Sequence, residues 1–209
     1  MWYMNKKTAN WKDAYITNTF NDFKGTPDTI FQSITTASLL NREFYLDNIT
    51  PTCATEFDKF VRFWNNIDGD LEFALREPIK LYIDSRGGSL LSALTIIDTI
   101  KLSRTPIYTI NIGNVFKESF YIYLAGLKRY SYPRASFYWE KDLDFFNMGD
   151  TQSNYEDFLE QQKQELKEML IQNTKITENE YDKRKGWWLS AEKANTLHIC
   201  NEVLRTKHI

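Results

Sequence analysis

The amino-acid sequence predicts an α/β domain, and two observations carry this prediction. Two apolar segments rich in β-branched residues, "IKLYIDS" (79–85) and "IYTINIG" (107–113), have the length and composition of buried strands. Each is followed by a segment in which apolar residues recur at helical spacing. Strands that alternate with helices pair in parallel, so a layered α/β architecture is expected.

The chain ahead of these strands divides into three parts. Residues 1–38 form an extension with aromatic residues and a break at 25–27, and no secondary structure is predicted for it. "REFYLDN" (42–48) predicts a short strand. A helix is expected after Cys53, where four apolar residues fall on one stripe. They are Phe57, Phe60, Val61 and Trp64.

Each buried strand leads into a helix. "RGGS" (86–89) precedes a helix that begins at Leu90, and "NIG" (111–113) precedes one that begins near Phe116. "SFYWE" (136–140) predicts another strand. "LSAEKA" (189–194) predicts a late helix with Ser190 as its N-cap and Glu192 in its first turn.

Residues 150–172 form a long, highly charged helix with a narrow apolar stripe. Two interpretations are open. The helix either packs on its own domain as a surface helix, or projects and pairs with another subunit.

Composition excludes several classes of function. The 209 residues are 42% hydrophobic and carry a formal net charge of −2, so one folded domain without nucleic-acid or anionic-membrane partners is expected. No apolar run is as long as a membrane span, and no signal peptide is recognised, so a cytoplasmic location is expected.

Cys53 and Cys200 form no disulfide framework or metal motif and are interpreted as buried thiols. No cofactor is expected, and the two histidines, His198 and His208, both lie near the C-terminus.

Gly87 and Gly88 follow a buried strand and precede a helix. A tight turn explains them, because glycine adopts backbone angles that other residues avoid. Alternatively, their N–H groups face a ligand or an oxyanion.

A set of ordered motifs resembles the ClpP family, the proteolytic subunit of the Clp protease. The motifs are "LLNREFYLD" (39–47), "YIDSRGG" (82–88), "IIDTI" (96–100), "NIG" (111–113), "LAG" (124–126), "KRYSYPRAS" (128–136) and "LSAEKA". The resemblance implies a ClpP/crotonase-like fold of stacked strand-strand-helix units with a protruding handle helix. It covers residues 39–209, with a head at 39–145 and 187–209 and a handle at 146–186.

The family carries a Ser-His-Asp triad, and the resemblance places its three positions at Lys117, Glu140 and Gly186. All three catalytic residues are therefore replaced, and no catalytic residue is expected. Asp182 lies four residues before Gly186 and is an alternative acid only if the alignment shifts. Gly88 matches the family's backbone donor and Gly87 precedes it, whereas Arg86 replaces a proline.

Lys117 and Glu140 carry opposite charges at positions that touch each other in the family. An ion pair between them is the leading hypothesis, since it relieves the penalty of an unpaired ammonium at a helix N-terminus. Two alternatives stay open. Each side chain reaches solvent separately, with Glu118 and Lys141 as rival partners, or Lys117 is itself a reactive amine. Ser119 is excluded as a nucleophile, because two helical residues rotate a side chain by about 200°.

The resemblance implies a catalytically inactive ClpP-like subunit, similar to the inactive members called ClpR or to a viral ClpP-like protein. Such a subunit assembles into rings, either with identical copies or with active ClpP-like subunits, and an AAA+ unfoldase is a possible partner. The alternatives are an active serine-type peptidase or a crotonase-like enzyme with an atypical site, and an accessory protein that uses the fold for assembly.

Overall fold

The computed structural model describes residues 35–141 and 155–205. The predictions for residues 1–34, for the start of the handle and for His208 lie outside these ranges. The chain divides into two compact units, residues 1–43 and residues 44–209. Of the first unit, residues 35–40 are helical. The second unit contains the predicted α/β architecture.

The regular elements alternate between strands and helices along the chain. In order they are β1 (Glu43–Leu46), α1 (Pro51–Asp68), a 3-10 turn (Phe73–Leu75), β2 (Ile79–Ser85), α2 (Leu90–Leu102), β3 (Ile107–Phe116), α3 (Glu118–Ala125), β4 (Lys128–Ser131), β5 (Ser136–Glu140), α4 (Tyr155–Asn173), α5 (Glu178–Asp182), β6 (Gly186–Ser190), α6 (Ala191–Thr196) and β7 (Glu202–Val203).

The sheet has seven strands within the described residues, and β3 lies at its branch point. The main path runs β1-β2-β3-β4-β7, and β5 and β6 extend from β3 on a second path. The first half of β3 pairs with β4 and its last three residues pair with β5, both in parallel. β2 and β3 are also parallel, which confirms the predicted pairing, whereas β6 runs antiparallel to β5.

The core forms where helices cover one face of this sheet. Alternate residues of β2 are buried, and α1 adds the predicted stripe through Phe57, Val61 and Trp64. α3 is buried over its first seven residues, so it is a central helix rather than an amphipathic one. Burying each large apolar side chain contributes about 1.5–3 kcal/mol, so α3 and its neighbours fix the orientation of the turn that precedes α3.

The structure corrects two boundaries and adds three strands. β3 continues to Phe116, three residues beyond the predicted segment, and α3 begins at Glu118. Phe116 is therefore a strand residue and not part of a helical face. β4, β6 and β7 were not predicted as strands, because they are short and their pairing partners, not their own periodicity, hold them in the sheet.

The long helix α4 packs on its own domain along its second half only. Leu166, Met169 and Leu170 are buried against the domain. Residues 157–165 are exposed or half-buried, and Phe158 lies among the exposed ones. Only the second half is a packed surface helix, and pairing of the first half with another subunit stays a prediction.

Candidate functional site

The turn from β3 to α3, residues Phe116 to Glu118, presents Lys117 on a strained backbone. Lys117 has φ 54° and ψ −120°, which few residues other than glycine adopt. Such a sharp strand-to-helix turn is the geometry that presents nucleophiles in several hydrolases. We call it the β3–α3 elbow. The structure thus retains the geometry of a nucleophile turn with a lysine at its tip.

Hydrogen bonds made by Lys117 and Ser119 hold the elbow in place. The Lys117 N–H donates to the Tyr138 carbonyl on β5 at 3.0 Å. The Ser119 hydroxyl accepts the Phe116 N–H at 2.8 Å and lies within 3.0 Å of the Ser85 carbonyl, to which it can donate. Ser119 is fully buried, so it stabilises the turn and is not available as a nucleophile, as the helical rotation predicted.

Lys117 and Glu140 form the predicted ion pair. Lys117 Nζ lies 3.3 Å from Glu140 Oε2, with the side chains 33% and 25% exposed. The contact is electrostatic, because Oε2 accepts no hydrogen bond from the described residues. Burial, followed by the Glu140 carboxylate, raises the pKa of the neighbouring Tyr138 hydroxyl, and the Lys117 ammonium opposes this shift. Of the rival partners, Glu118 accepts the Gly88 N–H, and Lys141 lies 4.0 Å from Asp182.

Gly186 lies directly opposite Glu140 in the antiparallel β5–β6 pair. A Cβ at position 186 would lie 2.6 Å from the Tyr138 hydroxyl, so the space of a side chain is already filled. The structure therefore brings Lys117, Glu140 and Gly186 together. An aspartate at position 186 would first require Tyr138 to move.

An aromatic wall borders this group and was missed by sequence reasoning. Trp188 is 63% exposed, and its ring centroid lies 4.8 Å from Phe116 and 4.7 Å from Tyr138. Tyr138 and Trp188 are cross-strand partners on the face that carries Glu140 and Gly186. Period-two alternation in "GWWLS" would have revealed the wall once β6 was recognised as a strand.

Both glycine N–H groups of the β2–α2 turn are engaged by side chains. The Gly87 N–H donates to Ser85 Oγ at 3.2 Å, and the Gly88 N–H donates to Glu118 Oε2 at 2.9 Å. Gly87 has φ 110°, and a Cβ there would overlap the Glu118 carboxylate. Gly88 packs against the Ile49 backbone, where a Cβ would also overlap. The geometry supports the explanation that the turn requires glycine. The alternative, that the two N–H groups face a ligand or an oxyanion, stays a prediction.

The remaining candidates lie away from the elbow or are bonded elsewhere. His198 is exposed in the turn after α6, and its carbonyl accepts Arg129 Nη2 at 2.9 Å. Asp182 accepts Lys167 Nζ at 3.3 Å. Cys200 is buried as predicted, whereas Cys53 is only half-buried, which corrects that expectation.

Residues 35–141 and 155–205 contain no group of three or more His, Cys, Asp or Glu residues that could hold a metal ion. In the same ranges no helix is both long and apolar enough to cross a membrane.

Comparisons with known proteins agree with this architecture. A model of the Clp protease family matches residues 71–207. The ATP-dependent Clp protease proteolytic subunit 2 of Borreliella burgdorferi is 29% identical over 138 residues, which are 64% of this chain and 70% of the relative. The ATP-dependent Clp protease proteolytic subunit of Dehalococcoides mccartyi is 28% identical over 139 residues, which are 62% and 67% of the two chains.

Among solved structures, a mutant of ClpP1 from Listeria monocytogenes is similar with a TM-score of 0.69 and 20% identity. The match covers 83% of this chain and 97% of that one, which shows a shared fold. The family model extends over more than half of the sequence, from residue 71, ahead of the 3-10 turn, to residue 207, beyond β7. The chain therefore belongs to the Clp protease family.

Proposed function

We propose that this chain is a catalytically inactive ClpP-like subunit with a structural role in a Clp-type protease or a related assembly. The observation that carries the proposal is the Lys117–Glu140 pair at the elbow. A serine-peptidase mechanism needs a hydroxyl, an imidazole base and an orienting carboxylate. Here an ammonium faces a carboxylate, and position 186 has no side chain.

Assembly into rings is supported by an exposed apolar surface, which we call the apolar patch. Two exposed apolar residues, Phe73 and Leu127, line a shallow groove beside Pro106. Large exposed apolar surfaces of this kind mark protein–protein contacts. The patch comprises Phe73 and Leu127. Further large apolar side chains are exposed on α1, on α2 and in the segment after α1, namely Phe63, Ile67, Leu71, Leu75 and Leu102. We assign it to the contact between neighbouring subunits, either identical copies or active ClpP-like subunits.

A second surface suits the AAA+ unfoldase that membership of the family supports as a partner. An open groove of about 220 Å³ lies on the outer face of β2, β3 and β4. Aromatic and aliphatic side chains line it, so it suits an apolar side chain from a partner loop. The lining residues are Lys80, Tyr82, Tyr108, Ile110, Tyr130, Tyr132 and Leu204. A cytoplasmic location of the subunit is part of the proposal.

The second candidate function is an atypical serine-type peptidase or crotonase-like enzyme. The strained backbone of Lys117 favours it, because such strain is commonly retained where it serves catalysis. In this version Lys117 is a reactive amine that acts as a nucleophile or as a base. The ion pair with Glu140 argues against it, since a protonated amine has no lone pair to donate.

Native mass measurement and activity assays on the purified protein test the proposal together. We expect a ring-sized oligomer, no hydrolysis of fluorogenic peptides and no labelling by a serine-reactive phosphonate. The protein should be produced in a host that lacks its own Clp peptidase, so that a contaminating host enzyme cannot account for any activity. The Lys117→Ala variant is assayed in parallel with the unmodified protein. A monomer would contradict the assembly role. Hydrolysis that Lys117→Ala abolishes would contradict inactivity and establish the second candidate.

A further inference from the structure

We infer that the Gly87–Gly88 turn is a carboxylate-binding site that Glu118 occupies from within the same chain, closing the site to any external acyl group. The inference extends the proposed lack of activity. It stands on Glu118 and Gly88 rather than on Lys117, so it describes a second, separate obstacle to catalysis.

The contact has the geometry of a charge-assisted hydrogen bond. Glu118 Oε2 accepts the Gly88 N–H at 2.9 Å, although the two residues are 30 positions apart in the chain. The glutamate is only 2% exposed. It is also the first residue of α3, where the aligned peptide dipoles favour a negative charge. A buried carboxylate in this position is therefore stabilised by the turn and by its own helix.

The glycines leave the space that the carboxylate fills. A Cβ at Gly87 would overlap Glu118 Oε2 and would lie 3.2 Å from the Lys117 Cβ. A side chain at position 87 would therefore displace the glutamate, and the positive φ of 110° would disfavour it further. The bare backbone and the buried carboxylate fit each other as binding site and ligand.

Occupation by Glu118 excludes a substrate oxygen. Stabilising the oxyanion of an acyl transition state requires a donor about 2.7–3.1 Å from that oxygen. The Gly88 N–H already has an acceptor at 2.9 Å, and a second anion at the same place would be repelled by it. The Gly87 N–H is committed to Ser85 Oγ at 3.2 Å. The site takes carboxylates, and the resident one is part of the chain.

Selective ¹⁵N-glycine labelling tests the contact directly, because the chain contains eight glycines and gives a correspondingly simple amide spectrum. In Glu118→Gln the neutral amide replaces the charged acceptor. We expect the Gly88 amide proton signal to move upfield and to exchange faster with solvent. Gly126, at the far end of α3, is the internal control and should stay in place. An unchanged Gly88 signal would overturn the inference.

Anion rescue provides a second measurement. Glu118→Ala should lower the Tm by about 3–12 °C, and sodium formate should restore part of the loss, whereas sodium chloride at equal ionic strength should not. Glu192→Ala is the matched control, since Glu192 also lies in a first helical turn but is exposed. Equal responses of the two variants to formate would overturn the inference. Peptide hydrolysis by the unmodified protein would overturn the proposed function together with the closure of the turn, whereas an unchanged Gly88 signal or equal formate responses would overturn the inference alone, so the two failures are distinguishable.

Discussion

Lys117 and Glu140 face each other across the junction of β3 and β5, with Nζ 3.3 Å from Oε2. The parallel pairing of Phe116 with Tyr138 sets this distance, because the two charged residues lie close to the ends of those paired segments. The register of the sheet thus creates the ion pair. The strained turn supplies its position.

The strength of this pair is the first prediction. A double-mutant cycle with Lys117→Met and Glu140→Gln should give a coupling free energy of about 0.2–1 kcal/mol, because both side chains are partly exposed. The measurement is the free energy of unfolding in urea at fixed protein concentration. Coupling should fall between 0.05 M and 1 M salt. A coupling above about 3 kcal/mol would instead indicate a fully desolvated pair.

The second prediction concerns the backbone strain at the elbow and its effect on the free energy of unfolding. Lys117→Gly and Lys117→Ala both remove the ion pair, but only glycine accepts φ 54° without strain. The glycine variant should therefore be the more stable of the two by about 1 kcal/mol, measured by urea unfolding. Because both variants lack the ion pair, its loss does not contribute to the difference between their free energies of unfolding. Equal stabilities would show that the elbow relaxes when the lysine is removed.

Much of the fold could be predicted from the sequence because local patterns determine it. The bounds of β2 and β5 match the predicted segments, and Ser190 caps α6 by accepting the Lys193 N–H at 3.3 Å. The Lys117–Glu140 pair was also accessible, since opposite charges occupied positions that the resemblance made adjacent. These features depend on nearby residues or on a recognisable register.

The rest depends on contacts between distant segments. Glu118 was weighed only as a partner for Lys117, but its backbone, as the first residue of α3, directs the carboxylate to Gly88 in another turn. β6 carries no clear strand signal of its own, and the aromatic wall follows from its pairing with β5. No short-range pattern in the sequence specifies either contact.

The space at Gly186 gives the third prediction. Gly186→Ala should lower the free energy of unfolding by about 1–3 kcal/mol, because the added methyl group would lie 2.6 Å from the Tyr138 hydroxyl. Adding Tyr138→Phe removes that oxygen and should recover part of the loss. Urea unfolding of the single and double variants gives the comparison. If Tyr138→Phe recovers nothing, strain elsewhere in the β5–β6 pair is responsible.

The reactivity of Cys53 is the fourth prediction and follows from its environment. Burial, then the carboxylates of Asp47 and Glu56, raise the pKa of this thiol to about 11. The thiolate is the reactive form, so raising the pKa from near 8.5 makes alkylation at pH 8 slower than for a free thiol by roughly 200-fold. The rate should rise about tenfold per pH unit until the pH approaches 11.

Iodoacetamide labelling followed by peptide mass spectrometry measures this alkylation rate. The Cys200→Ser background isolates Cys53, because burial also raises the pKa of Cys200. A labelling rate that levels off near pH 8.5 would show that neither burial nor the two carboxylates control this thiol in solution.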